Sequence, residues 1–376
     1  MIYYLVFFVV AGIASFLLTP WAIWIAKKFR AIRYPPSLAM HKVKKERSVD
    51  VYVSTRKHFG KPPTPLMGGL AYVLTFFILV AVGMVFSDFI NFGASTISAY
   101  FLWFIGALIL FVTGIVVDKK DISSTTQLFM YFVAIFVFIL STFDIVVVNI
   151  PFLGNVHVDW WFWQPFRWLS LVFPGDLITL GLIFIMLYAL KFQAGVDGLM
   201  EGNTIVGLLF VFASALMLHH SVTAFMAIVL AGALLGFLFY NFYPARVFSG
   251  ATGKSIVGYL VATLAIIGEA KLVVILGVFA LPVLDMIYVL VKRFLRYKSV
   301  KKALITSDRT HFHHNLLALG LTERQVCLFE YTYTAVSGLI LVSLPMSLKT
   351  YGGVAILLIT LVLIIYVNIK NKASLK

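Results

Sequence analysis

The sequence is short of cysteine, of charge and especially of acidic residues. Its 376 residues contain one cysteine, and only 12% of them are charged. A single thiol excludes an intramolecular disulfide and a metal–thiolate cluster. Because an ordinary soluble domain is about 25% charged, this chain has too few charges to cover a soluble globule. Its 35 Phe and 17 Tyr also exclude a disordered chain, which could not keep them solvated.

The chain is rich instead in long apolar runs, and 61% of its residues are apolar. A transmembrane helix needs about 20 such residues, and the runs lack the alternating pattern of barrel strands. The sequence therefore predicts an all-α polytopic integral membrane protein, a single transmembrane domain over 1–376 with about eleven spans. The predicted spans are 3–26, 66–87, 99–117, 126–148, 174–190, 204–218, 222–240, 255–268, 272–291, 327–348 and 352–369.

Lysine and arginine are concentrated in alternate loops. Cytoplasmic loops of membrane proteins carry an excess of these residues, so the pattern predicts an N-out, C-in orientation. The net charge of +15 follows from this topology and from contact with anionic headgroups. Because no nucleic-acid motif is present, we expect no nucleic-acid partner. The basic segments are 27–65, 118–125, 191–203, 241–254, 292–326 and the tail after 369, with 27 of the 30 Lys and Arg.

The outward segment 149–173 is unusually aromatic, with Trp160, Trp161 and Trp163 close together. Tryptophan is enriched where a membrane protein meets the headgroup region. This segment is therefore interpreted as an interfacial aromatic belt, with a small hairpin as a further hypothesis.

Two carboxylates follow the third predicted span. Asp118 and Asp121 are three residues apart, which would place both on one side of a helical turn. There they could share a cation or a phosphate-bound metal, and they are the best metal-ligand candidates. The alternative is that both are solvated loop residues, with a residue of 123–125 capping the next span.

Two further inner loops contain glycines beside polar residues. In the first, Gly195 and Gly198 flank Asp197 closely enough to allow backbone approach to a ligand. The second ends in Gly250-Ala-Thr-Gly-Lys254, where glycine and lysine at a helix N-terminus could cradle an anion. It is not a Walker A sequence, because the first glycine and the preceding strand are missing.

The segment Asp308–Asn315 contains three of the eight histidines, next to Arg309. Such a cluster suits phosphate binding, proton transfer or metal ligation. Asp285, inside the ninth predicted span, needs a partner and is a site candidate, while Glu330 lies near the inner start of the tenth. Since these polar groups lie at one membrane face, interfacial chemistry is favoured over transport, whose sites lie near the midplane.

The order of these motifs resembles the polyprenyl-phosphate N-acetylhexosamine-1-phosphate transferases (glycosyltransferase family 4). The resemblance covers almost the whole chain, and His311-Phe-His313-His314 is similar to the UDP-GlcNAc/GalNAc-using branch more than to the phospho-MurNAc-pentapeptide transferases. The matching elements are Pro63–Gly69, Val117–Asp121, Lys191–Leu199, Gly250–Lys254 and His311–His314.

The resemblance implies a fold of ten or eleven helices and a reaction at the cytoplasmic face. A membrane polyprenyl phosphate would attack the β-phosphorus of a UDP-amino sugar, with Mg²⁺ neutralising the diphosphate and UMP leaving. The oligomeric state stays open, with a homodimer as one possibility. The implied catalytic residues are Asp118, Asp121, Asp197, His311, His313 and His314. The implied substrate-binding residues are Lys61, Lys191, Gly198, Asn203, Lys254 and Arg309.

Five positions depart from the family pattern. Val117, Ala194 and Ala251 stand where the family has carboxylates, and the position of Ala251 is the one expected to ligate Mg²⁺. Lys191 and Lys254 replace neutral residues, so the formal charge around the site is more positive by five. Because Mg²⁺ prefers carboxylate and water oxygens, a family-type Mg²⁺ site is not expected.

Three hypotheses follow from these departures. In the first, the two lysines take over the role of the metal in a working transferase. In the second, the chain is a non-catalytic homologue that binds lipid phosphate or nucleotide, or scaffolds glycan assembly. In the third, it is a transporter or lipid flippase on a modified scaffold.

Overall fold

The structure is a computed structural model that describes residues 2–33, 63–85, 97–120, 122–166, 169–269, 272–299, 302–303 and 310–374. Thirteen helices account for most of these residues, and the described residues also form three two-stranded antiparallel sheets, the first of which pairs Ile32–Arg33 (β1) with Thr64–Pro65 (β2). The helices are Ile2–Lys28 (α1), Gly69–Val85 (α2), Ile97–Lys119 (α3), Ser124–Ile139 (α4), Gly175–Gln193 (α5), Leu199–Met217 (α6), Ser221–Asn241 (α7), Gly250–Ile267 (α8), Leu272–Val278 (α9), Ala280–Tyr297 (α10), Phe312–Ala318 (α11), Glu323–Ser343 (α12) and Lys349–Ser374 (α13).

Each predicted span coincides with a helix or a helix pair, which confirms the all-α polytopic class. Eight helices are long and apolar enough to cross a membrane, and α2 and α4 are shorter apolar helices. The ninth predicted span is not one straight helix, because α9 and α10 meet at an angle of 85°. Pro282 explains the break, since it cannot donate a hydrogen bond to the carbonyl of Val278 and its ring crowds that carbonyl. Span number and orientation stay predictions.

The fourth predicted span, 126–148, extends too far at its C-terminal end. Helix α4 ends at Ile139, and the β-branched run Ile145–Val148 leads into a strand, as this residue type favours. Strands Val147–Ile150 (β3) and Gly154–His157 (β4) form one hairpin, and Asp159–Phe166 (β5) and Leu169–Pro174 (β6) form a second. The hairpin hypothesis for the aromatic segment is therefore confirmed, and Trp160, Trp161 and Trp163 are exposed on β5.

The two most buried helices, α7 and α8, form the centre of the bundle. Within their apolar windows 83% and 89% of the residues are buried, compared with 22% in α1. Helix α7 packs against α1, α2 and α6, while α8 packs against α3 and α5. The N-terminus of α8 and the C-terminus of α7 lie at the polar loops, so the central helices position the candidate site.

Helices α1 and α7 are in close contact through small residues. A methyl group on Gly236 would overlap the carbonyl oxygen of Gly12, and one on Gly232 would overlap that of Phe8. Glycines four residues apart let helix backbones approach in a membrane, where packing replaces the hydrophobic driving force. The pair Gly232 and Gly236 therefore brings α1 against the centre of the bundle.

We expect Gly236→Ala to destabilise the protein by about 1–3 kcal/mol, because the added methyl group must push α1 away from α7. Thermal unfolding in detergent measures the change. Gly181→Ala is the matched control, since a methyl group at Gly181 meets no atom of the described residues within 4 Å. Equal stability of the two variants would contradict the close α1–α7 contact.

Candidate functional site

The polar loops predicted to share one membrane face converge around one cavity. Its walls come from the segment after α1, the loop between α5 and α6, the end of α7 and the loop before α8. These segments are far apart in the sequence. Two of the five matched elements line the cavity, Lys191–Leu199 and Gly250–Lys254, and each of the other three lies against one of these two. The lining residues are Arg33, Ala194, Val196, Asp197, Glu201, Asn241, Phe248, Ser249 and Lys254.

The carboxylate of Asp118 caps the N-terminus of α8. Its Oδ1 accepts a hydrogen bond from the backbone N–H of Ala251 at 2.7 Å, and its Oδ2 accepts from the N–H and Oγ1 of Thr252 at 2.9 and 2.6 Å. A helix begins with unpaired N–H groups and a partial positive charge, which a carboxylate stabilises. Asp118 therefore joins the end of α3 to the start of α8.

Only glycine suits position 250 in this arrangement. Gly250 has φ +68°, in the left-handed region that favours glycine. A methyl group there would also overlap the carboxylate of Asp118. Gly250 thus allows the carboxylate of Asp118 to reach the N-terminus of α8.

Two other acidic residues fasten the loop between α7 and α8. Asp197 Oδ2 accepts a hydrogen bond from the N–H of Ala245 at 3.1 Å. Glu201 is buried and accepts one from the hydroxyl of Ser249. Both acids belong to the predicted inner loop 191–203 and both partners to the predicted inner loop 241–254, so these hydrogen bonds join the two loops.

Gly198 and Asn203 help to orient the start of α6. Gly198 has φ +79° at the N-cap of α6, and its N–H donates to Asn241 Oδ1 at 3.0 Å. Asn203 is buried, and its Oδ1 accepts a hydrogen bond from Thr334 of α12. The structure thus directs Asn203 to a helix contact, and it does not line the cavity. Its role as a substrate-binding residue stays a prediction.

The lysines that replace neutral residues of the family pattern lie beside these acids. Lys254, partly buried, lines the cavity and is within electrostatic reach of Asp118, Glu201 and Arg33. The ammonium of Lys191 donates to Tyr131 Oη at 3.0 Å and to Gln127 Oε1 at 3.4 Å. The positive charges of Lys254, Lys191 and Arg33 therefore lie close together at the start of α8.

His311 is held from both sides by charged partners. Its Nδ1 lies 2.8 Å from Asp285 Oδ2, while its Nε2 lies 3.4 Å from Arg293 Nη2. Asp285 Oδ1 also accepts a hydrogen bond from the N–H of Phe312 at 2.7 Å. Asp285 thus has the partner that a carboxylate at such a position needs, and its hydrogen bonds orient the histidine segment.

His313 and His314 reach the loop between α5 and α6. A methyl group on Gly195 would lie 3.1 Å from His313 Nε2 and 3.3 Å from His314 Nε2. His313 is buried, and its Nε2 has no hydrogen-bond partner among the described residues. Burial, together with His314 and His311, holds the pKa of His313 well below its usual value. A neutral imidazole with a free nitrogen can accept or donate a hydrogen bond at the edge of the site.

Sequence reasoning missed four residues of this arrangement: Arg33, Glu201, Ser249 and Arg293. The spacing of Asp285 and Arg293, two turns apart, places both on one helix face and could have indicated that pair. No comparable signal identifies Arg33 as a cavity residue. Three predicted site residues, Lys61, Asp121 and Arg309, lie outside the described residues.

Comparison with known proteins decides the family. The model of glycosyl transferase family 4 matches residues 100–269. A phospho-N-acetylmuramoyl-pentapeptide-transferase of Staphylococcus carnosus is 30% identical over 298 residues, 76% of this chain and 86% of the relative. The chain belongs to glycosyl transferase family 4.

Other family 4 relatives match as much or more of the chain. A probable undecaprenyl-phosphate N-acetylglucosaminyl 1-phosphate transferase of Bacillus subtilis is 29% identical over 341 residues, 88% of this chain and 82% of the relative. A decaprenyl-phosphate N-acetylglucosaminephosphotransferase of Mycobacterium tuberculosis is 25% identical over 360 residues, 87% and 78% of the two chains. Both names describe transfer of an amino sugar phosphate to a polyprenyl phosphate.

Family 4 is of a Mg²⁺-dependent type, but the described residues do not fit that ion. They contain no group of three or more His, Cys, Asp or Glu side chains placed to hold a metal. The oxygens of Asp118 are already occupied by three hydrogen bonds, and a methyl group stands at Ala251. A second cation near Lys254 would meet a repulsion on the order of 4 kcal/mol per pair of unit charges at about 4 Å and an effective dielectric constant of about 20.

We expect Asp118→Asn to lower the free energy of unfolding by about 1–3 kcal/mol, because the amide NH₂ cannot accept the N–H groups of α8. Thermal unfolding in detergent, without substrate, checks this structural effect. Asp159→Asn is the control, since Asp159 is exposed on β5. An Asp118→Asn protein as stable as the control would show that the cap contributes little.

The depressed pKa of His313 predicts a pH dependence of stability. The unfolded chain binds a proton near pH 6.5 and the folded chain does not, so stability falls as the pH drops below 6.5, by up to about 1.4 kcal/mol per pH unit. Unfolding temperatures between pH 7.5 and 5.5 measure this, and we expect a shallower slope in His313→Gln. His157→Gln, at an exposed histidine, should keep the parent slope. Identical slopes in both variants would contradict the assignment.

Proposed function

We propose that this protein transfers an N-acetylhexosamine 1-phosphate group from a UDP-amino sugar to a membrane polyprenyl phosphate such as undecaprenyl phosphate. UMP is the second product, and the lipid-linked sugar phosphate begins a cell-envelope glycan. The main support is the way the matched loops meet: Asp197 and Lys254 line one cavity, Asp118 caps the helix that carries Lys254, and His313 and His314 lie beside Gly195 of the adjoining loop. The names of the relatives, which span most of the chain, support the transferase over the non-catalytic alternative.

The reaction is a phosphoryl transfer between two phosphates. An oxygen of the lipid phosphate forms a bond to the β-phosphorus of the UDP-sugar. The bond from that phosphorus to the bridging oxygen breaks, and UMP leaves with the electron pair. Since the second pKa of a phosphate monoester is about 6, the attacking group is largely ionised at pH 7. Catalysis of this kind depends mainly on positioning and charge stabilisation.

The described residues suit those two tasks. Lys191 and Lys254 supply positive charge beside the start of α8, where the diphosphate would lie. The Nε2 of His313, without a partner among the described residues, is available to a phosphate or nucleotide group. Asp118, Asp197 and Glu201 hold the loops that present these groups. Catalytic roles of Asp118, Asp121, Asp197 and His314 belong to the same proposal.

The proposal places the protein in the cytoplasmic membrane, with its site at the cytoplasmic face. The multi-pass helical architecture supplies the membrane location. The concentration of 27 of the 30 Lys and Arg in alternate segments supports the N-out, C-in orientation. Both substrates could then meet at the interface, the lipid phosphate from the bilayer and the UDP-sugar from the cytosol.

Purified full-length protein, given undecaprenyl phosphate and a panel of UDP-amino sugars that includes UDP-GlcNAc, is expected to release UMP. The amount should equal the lipid-linked sugar formed, because each transfer frees one nucleotide. Coupled UMP detection and lipid mass spectrometry measure the two products, and a reaction without lipid phosphate is the control.

Two outcomes would replace the proposal with a different function. Binding of lipid phosphate without UMP from any UDP-sugar would indicate a non-catalytic homologue. Movement of the lipid between leaflets, again without UMP, would indicate a flippase.

A further inference from the structure

The chemistry of family 4 requires positive charge on the diphosphate, and the start of α8 contains that charge as lysine. Ala251 and Lys254 are three residues apart in the first turn of α8, so they lie on neighbouring parts of one helix face. The family pattern has a carboxylate at the first position and a neutral serine at the second. In this chain Ala251 cannot bind a metal, and Lys254, one turn further along the helix, carries a positive charge of its own.

The ammonium of Lys254 is available to a ligand. Lys254 lines the cavity with Arg33, Asp197 and Glu201. It interacts electrostatically with Asp118 and Glu201, but no acceptor of the described residues hydrogen-bonds to it. The acids near it are engaged elsewhere, Asp118 with the N–H groups of α8 and Glu201 with Ser249. An ammonium has three donors, and none of them is used by a residue that the structure describes.

A second ammonium is held next to the first. Lys191 donates to the hydroxyl of Tyr131, which in turn lies 2.9 Å from Ser255 Oγ, one residue after Lys254. The partners of Lys191, Tyr131 and Gln127, are uncharged. The positive charge of Lys191 is therefore positioned without being neutralised by a hydrogen-bonded carboxylate.

Arg33 adds a third positive charge at the same cavity. It lies in the strand Ile32–Arg33, which pairs with Thr64–Pro65 of another matched element, and its guanidinium is 5.8 Å from the ring centre of Phe248. Arg33 and Lys254 line the cavity, and both Arg33 and Lys191 are within electrostatic reach of Lys254. These like charges repel one another, and an anion with several negative charges relieves that repulsion. A diphosphate has this charge, and lysine binds phosphate oxygens as a point charge.

We propose that Lys254 and Lys191 bind the diphosphate of the nucleotide sugar directly, and that the site binds its substrate without a divalent cation. The identity of this ligand rests on the proposed function. Lys254 is the central residue, because it lines the cavity from the first turn of α8, where the family pattern has a carboxylate at the position of Ala251. Lys191 and Arg33 spread the positive charge over more of the phosphate oxygens than one ammonium can reach.

Binding of UDP-GlcNAc to the full-length protein tests the proposal without depending on turnover. Isothermal titration in EDTA and in Mg²⁺, at equal ionic strength, should give dissociation constants that agree within about twofold. Binding that weakens about tenfold or more in EDTA would overturn the proposal.

Lysine variants test which charges act. Lys254→Ala should weaken binding about 10-fold to 100-fold, the range for loss of a hydrogen bond to a charged group. Lys191→Ala should weaken it in the same direction, and Lys254→Arg should retain most of it. Lys27→Ala removes one charge from the exposed end of α1 and is the matched control. Unchanged binding in both alanine variants would contradict the proposal.

A paired substitution tests the exchange of metal for lysine. Ala251→Asp with Lys254→Ser restores the family pattern at both positions. We expect this variant to gain protein-bound Mn²⁺ in electron paramagnetic resonance spectra and to bind UDP-GlcNAc only with a divalent cation. The parent protein should show no protein-bound Mn²⁺ signal, once the signal of Mn²⁺ with nucleotide alone is subtracted, and should bind UDP-GlcNAc without a divalent cation. Mn²⁺ bound equally by the parent protein would overturn the proposal even if a lysine variant failed to fold.

Failure of this inference and failure of the proposed function give different results. UMP release in Mg²⁺, with nucleotide binding that weakens about tenfold or more in EDTA, would overturn metal-free binding and leave the transferase intact. Nucleotide binding that is equal in EDTA and Mg²⁺, with no UMP from any UDP-sugar, would support metal-free binding and overturn the transferase. An absence of nucleotide binding in both conditions would overturn both.

Discussion

The geometry of the candidate site depends on the contact between one carboxylate and one helix N-terminus. Asp118 accepts three hydrogen bonds from the first residues of α8, which begins 132 residues later in the chain. The contact needs Gly250, since any side chain there would occupy the space of the carboxylate. Because α8 is the most buried helix of the bundle, fixing its start also fixes where Lys254 and Ser255 stand. The position of Lys254 in the cavity therefore depends on the capping of α8 by Asp118.

Acidic and basic side chains have divided tasks in this site. Asp118, Asp197 and Glu201 accept hydrogen bonds from backbone and hydroxyl groups of the loops, while Lys254 has no hydrogen-bond acceptor among the described residues. A Mg²⁺-dependent site uses its acids differently, since carboxylate oxygens must remain open to the ion. Under the proposed metal-free binding, the side chains at the start of α8 would supply the positive charge that a bound ion supplies in a Mg²⁺-dependent site.

Much of the fold could be predicted because apolar length and basic loops are local features of the sequence. Two details of the fold were not predicted. The bend before Ala280 depends on a single proline, and the end of α4 at Ile139 depends on a β-branched run inside an otherwise apolar segment. At the site, motif order indicated which loops meet. It did not indicate that Asp118 would accept hydrogen bonds from backbone N–H groups, because almost every residue type has such a group and the sequence does not mark which ones are used. Nor did it indicate that Asn203 would accept a hydrogen bond from Thr334 of α12, while its role in substrate binding stays a prediction.

The lone cysteine has a practical consequence for mapping this protein in a membrane. Cys327 is buried in α12, and its thiol donates a hydrogen bond to the carbonyl oxygen of Asp197 at 3.4 Å. A thiol in such surroundings reacts slowly with water-soluble maleimides, because the thiolate that they require is disfavoured away from water. The natural protein should therefore give little maleimide labelling of its own in a cysteine-labelling experiment. Single cysteines introduced into the loops would report which compartment each loop faces, without removal of the native residue.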